Sequence, residues 1–216
     1  MADHIQAGGG RRPPTSDSVD FTMMYAAHAA FARDLRRLGR GYEHGQARTP
    51  AALAHWAAFT KQLHIHHRAE DTALWPPLRD AALRPDEIGV LDQMEAEHAQ
   101  IGPQLERIDA ALVSDNGALL GAGIQALTST LTAHMRHEED DALPLVESHL
   151  GAAGWAKFVG AIRKTQGLRG AAEFLPWLLD DAPTDVQARV LGMLPPPVRF
   201  LYRRNWAPKY RRVAGI

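Results

Sequence analysis

The sequence predicts an all-α fold, an up-down-up-down four-helix bundle with a C-terminal helical extension. Three observations carry this reading. Four long segments place apolar residues at alternating three- and four-residue steps, the stripe of a helix facing a bundle seam. Short connections make neighbouring helices antiparallel. No stretch keeps a period of two, and Val and Ile are sparse, so no strand competes.

Residues 1–15 are rich in Gly, Arg and Pro and read as a disordered tail, not a signal peptide. The bundle is assigned to residues 16–150 and the extension to 151–216. The first helix starts near Ser16 to Val19, with Phe21, Met24, His28, Phe31, Leu35 and Leu38 as its stripe. Gly39, Gly41 and Gly45 then break the pattern. The second begins after Thr49-Pro50, an N-cap followed by Pro at the first position. Its stripe is Trp56, Phe59, Leu63, His66, Glu70 and Ala73, and Pro76-Pro77 should end it near Trp75. The third follows Pro85-Asp86, with Leu91, Met94, His98, Ile101, Leu105 and Ile108 as its stripe and a kink expected at Pro103. The fourth has a start weakened by Gly117, Gly121 and Gly123, and a stripe of Ile124, Leu127, Leu131, His134, Glu138 and Asp141.

In the extension, Trp155, Phe158, Val159 and Ile162 suggest a short amphipathic helix. Phe174 to Leu179 is an apolar patch, and Thr184 with Gln187 looks like a capping box. After Pro195 the chain is basic and aromatic. Phe200, Tyr202 and Trp206 are expected to pack on the bundle while the arginines stay in water.

The two halves repeat. A shift of 70 takes Met24 to Met94 and His28 to His98; a shift of 68 takes His66 to His134 and Glu70 to Glu138. Pro76 and Pro144 stand at the same distance after the second-helix histidines. Six polar residues therefore occupy seam positions of apolar stripes: His28, His66, Glu70, His98, His134 and Glu138. Two carboxylates in one core repel each other unless a positive charge lies between them. One or two divalent cations would supply it. Two histidines and a carboxylate per ion suit non-haem iron, with manganese or zinc as alternatives. The repeat decides against His67, whose counterpart is Met135. His64 and His137 have no histidine counterpart and are assigned to solvent or to support of the ligands, as are Asp71 and Glu139. His4, His44, His55 and His149 lie outside the pattern. Tyr25 lies one turn before His28, where its phenol could approach a metal or pack at the bundle end.

Composition narrows the chemistry. The absence of Cys removes disulfides, thiolate zinc sites and cysteine-ligated clusters. The formal net charge of −1 gives no argument for nucleic acid or a membrane surface. A cytoplasmic protein is the default expectation. Nothing fixes an oligomeric state.

The arrangement resembles the hemerythrin-like family, also called the HHE cation-binding domain. The matching residues are His28; His66 with Glu70, Asp71, Leu74, Trp75 and Pro76; Glu97-His98; and His134 with Glu138, Glu139 and Pro144, within roughly residues 19–148. The tail is similar to the C-terminal extension of some actinobacterial hemerythrin-domain proteins. The resemblance implies a bundle with a di-iron centre, oxo- or hydroxo-bridged, that binds dioxygen, peroxide or nitric oxide, senses oxygen or iron, or helps repair iron centres. The oxygen carriers have a second histidine four residues away on the third helix; here those positions are Met94 and Gly102. The expected site is thus symmetric, with two histidines and two shared glutamates per ion, and does not match a pure oxygen carrier. Four functions stay open: a di-iron oxidoreductase, a metal or gas sensor, an anion-binding tail, and an oxygenase with an organic substrate under the extension.

Overall fold

The computed structural model describes residues 18–81, 83–114 and 116–214, with side chains to Arg212. The tail expected at 1–15, and His4 within it, lie outside the described residues. Those described form helices and turns, with no strand.

α1 (Thr22–Glu43) and α2 (Pro50–Ala69) form the first hairpin. Thr49 caps α2, its side chain accepting from the Ala52 N–H at 3.3 Å. Two sequence expectations fail here. Gly39 and Gly41 do not stop α1, which runs on to Glu43. Pro76 does not end the second bundle helix: α2 passes through a π turn, π1 (Glu70–Leu74), into α3 (Trp75–Arg79). The π turn bonds the Trp75 N–H to the Glu70 carbonyl.

The second hairpin is α4 (Pro85–Val113) and α5 (Gly117–His137). α4 runs unbroken past Pro103. α5 passes through π2 (Glu138–Ala142) and α6 (Leu143–Leu145) into π3 (Val146–Leu150). Gly121 and Gly123 are points of close approach. A Cβ at 121 would lie 2.6 Å from the Tyr42 hydroxyl, and one at 123 would lie 3.0 Å from Ile108.

The extension comprises α7 (Gly151–Leu179), α8 (Thr184–Met193), α9 (Pro196–Leu201), π4 (Tyr202–Trp206) and α10 (Ala207–Ala214). Gly167 breaks α7 at φ 57°, a left-handed backbone that favours glycine. Thr184 is not a capping box: Pro183 precedes the helix, and the Gln187 amide donates to the Ala182 carbonyl at 2.8 Å.

The core is split in two. One apolar cluster holds Phe31, Leu35, Phe59, Leu63, Ile101, Leu105, Leu127 and Leu131, joined by Leu175 and Trp177 from α7. The other holds Met24, Leu74, Trp75, Leu78, Leu91, Met94, Leu143 and Val146, joined by Trp155 and Phe158. Each fully buried side chain of this size contributes about 1.5–3 kcal/mol. α1 and α4 run from the second cluster to the first, α2 and α5 run back, and the histidines and glutamates of the repeat fall between the two.

Candidate metal centre

The layer between the clusters is built from local geometry. Residues four apart on a helix share a face, so His66 with Glu70 and His134 with Glu138 point inward together. π1 and π2 each begin at the glutamate of their pair, and each is followed by a proline, Pro76 or Pro144. A π turn inserts one extra residue into a helix and is frequent at functional sites. It leaves room for a ring that would otherwise clash with the carbonyl four residues back.

All six residues marked by the repeat meet. His28 Nε2 lies 3.3 Å from His66 Nε2 and 3.1 Å from a Glu138 oxygen. His98 Nε2 lies 3.2 Å from His134 Nε2. Glu70 spans the two pairs, with one oxygen 3.1 Å from His66 Nε2 and the other 3.6 Å from His98 Nε2. Both glutamates have no solvent exposure.

Three of these rings are held from behind, across helices. The Nδ1–H of His28 donates to Glu139, that of His98 to Asp71 and that of His134 to Glu97, each at 2.8 Å. Asp71 and Glu139 are related by the same shift of 68 as the glutamates. A carboxylate on Nδ1 fixes the tautomer and leaves the Nε2 lone pair for a ligand.

His67 overturns the sequence reading. It is buried, stacked on His98 with centroids 4.0 Å apart and edge-on to His134 at 5.2 Å. His67, His98 and His134 form one group able to hold an ion; His28, His66 and Glu138 form another. The halves are therefore unequal, three imidazoles against two. A helical step of roughly 100° turns residue 67 from the α1 side toward α4. The adjacent His66-His67 pair was the available signal, and the repeat hid it.

Both oxygens of Glu70, both of Glu138, and Nε2 of His67 are buried without a hydrogen-bond partner. Their short contacts to imidazole nitrogens lack hydrogen-bond geometry. Five acceptors converging without donors fit a cation, and nitrogen and carboxylate donors without thiolate suit iron, manganese or zinc. The groups are strongly coupled. Burial disfavours a charged His28, but Glu138 and Glu139 outweigh it and raise it to about 9. Burial and the nearby His28 push His66 down to about 3. Burial and His98 hold His67 low as well. Glu70 is pushed well up by burial and by Glu138. Glu138 is also opposed by burial, but His28 pulls it down.

The other candidates make the following contacts. Tyr25 packs edge-on to Phe21 at 6.3 Å, on the side of the second cluster. His64 is exposed and donates to the Thr60 carbonyl. His137 shares Glu97 with His134, at 2.8 Å. His44 bonds the Arg40 carbonyl and His149 lies 3.3 Å from Glu87.

Leu175, Trp177 and Leu178 are buried against the first cluster. Trp177 lies 5.0 Å from the Phe31 ring, which lies 5.3 Å from His66. Tyr202, Trp206 and Tyr210 pack on that cluster while Arg203, Arg204, Arg211 and Arg212 are exposed. Phe200 departs from expectation at 63% exposed. No helix among the described residues is long and apolar enough to cross a membrane.

Comparison with known proteins gives one finding. The family model of the hemerythrin HHE cation binding domain matches residues 19–146, more than half of the chain and all of the residues that meet in the layer. No curated protein and no solved structure matches.

Proposed function

The chain belongs to the hemerythrin HHE cation-binding family, and from that premise we propose that it holds two iron ions and uses them to bind or reduce dioxygen, peroxide or nitric oxide. The observation that supports this most is the set of four buried carboxylate oxygens without donors, surrounded by five imidazoles. Glu70 and Glu138 serve as shared ligands between the two halves. His28 and His66 belong to one half, His67, His98 and His134 to the other. Glu97, Asp71 and Glu139 keep Nε2 of their histidines bare and aimed inward. Iron in such a set supplies open coordination positions and one-electron chemistry.

The test is metal analysis of the purified chain joined to an optical spectrum before and after each oxidant. Two irons per chain and a spectral response are expected, both lost in Glu70→Ala. A chain that takes up no metal, or only zinc with a silent spectrum, would reject the proposal. Repeated turnover would make it an oxidoreductase, and a stable adduct a carrier or sensor.

A further inference from the structure

α1 packs on α2 and on α5, and α4 packs on α5. The fourth side of the bundle, between α2 and α4, is bridged by the stacked rings of His67 and His98. A cleft of about 420 Å³ opens there, floored by Leu63, Ile101 and Leu105 and ending on those two imidazoles. Of the metal centre's histidines, His28, His66 and His134 do not line it. The cleft therefore reaches the three-imidazole half, through His67 and His98.

Gly102 lines the same cleft. Its φ is not positive, and a Cβ there would meet nothing within 4 Å. Neither backbone nor packing requires glycine, which costs about 1 kcal/mol against alanine inside a helix. A side chain at 102 would occupy the cleft.

The charges on the rim are uneven. Asp71 accepts from His98 at 2.8 Å, and Glu95 pairs with Arg79 at 3.0 Å. Arg68 stands on the same rim and makes no ion pair among the described residues. The volume far exceeds the ~30 Å³ share of one water and falls within the ~300–1,000 Å³ of small-molecule sites.

We propose that this cleft binds a small organic carboxylate, with its apolar body on Leu63, Ile101 and Leu105 and its anionic group at Arg68. Arg68 directly follows His67 on α2, so the anionic end then lies level with the imidazoles and the apolar end points away from them, toward Leu63 and Leu105. As the substrate site of the metal centre this rests on the reading above; the binding itself does not.

Calorimetric titration of the full chain with octanoate, and with octanamide as its neutral counterpart, tests it. Octanoate should bind, and Gly102→Leu should weaken it by about tenfold or more with helicity unchanged. Arg68→Gln, an exposed substitution, should bring octanoate down to the level of octanamide. Failure of octanoate to bind the wild-type chain, or wild-type affinity retained in either variant, overturns the proposal. Metal content is measured on the same samples. Iron loading without octanoate binding rejects the cleft alone, and octanoate binding without metal rejects the metal reading alone.

Discussion

His67 and His64 sit on the same helix in the same stretch of sequence, yet one is buried against two other imidazoles and the other bonds its own helix. His67→Ala should therefore weaken the ion of the three-imidazole half and spare the other, while His64→Ala changes neither. Competition with a chelator, read per ion, checks this; equal losses in both variants would remove His67 from the site. Asp71→Asn, behind His98, should weaken metal by roughly 10–100-fold. Metal binding also competes with protons. His28 is raised to about 9, so in the metal-free folded chain it carries a proton at neutral pH, and Glu70 is pushed up in the same sense. Loading must expel those protons, so affinity should rise with pH and level off only above about pH 9. Proton release measured during loading at neutral pH tests the sign; uptake would contradict it. The six seam residues were legible because each is a local step along one helix stripe. His67 was not, because whether its flank meets solvent or α4 depends on how the bundle is rotated.

At the scale of elements, π1 and π2 stand out because both begin at a glutamate of the site and both precede a proline. The sequence reading took Pro76 as a stop, since proline removes an N–H and clashes with the preceding turn. One extra residue absorbs that clash and lets the helix continue, so Trp75 and Leu78 stay in the second cluster. No stripe periodicity announces such a turn; only the recurrence of Glu and Pro at equal spacing does. Deleting Thr72 removes the extra residue and should destabilise the chain by roughly 3 kcal/mol, the order of an interior helix proline. Adding Pro76→Ala should recover most of that loss. In the double variant, helicity should be near normal while metal affinity stays low, because Glu70 no longer leaves its helix at the same angle. Circular dichroism with metal titration decides it: normal affinity would make the turn a mere accommodation of proline.

At the scale of the whole molecule, the extension is part of the core and reaches the site through two rings. Trp177 packs on Phe31, and Phe31 on His66. Polar pairs lock the same contact. The Trp177 indole N–H donates to Asp34 at 2.7 Å, and Arg37 donates to Asp180 at 2.6 Å. Arg33 and Asp34 are buried, although in the sequence they look like surface charges beside a stripe. That is why the apolar patch at Phe174 to Leu179 could be seen but its seat could not. Trp177→Phe keeps an aromatic ring, smaller than the indole, and removes one donor from a buried carboxylate, which should cost about 1–3 kcal/mol for the lost donor. The same contact links metal to tail. A metal ion that fixes His66 also fixes the Phe31 face on which Trp177 sits, and whatever binds only the folded form stabilises it by mass action. Limited proteolysis of the full chain should then cut the extension, first near the break at Gly167, sooner after chelation than before. Trp177→Phe should narrow that difference by loosening the extension in both states. Identical cutting with and without metal would show that the extension is a fixed buttress and does not sense the state of the centre.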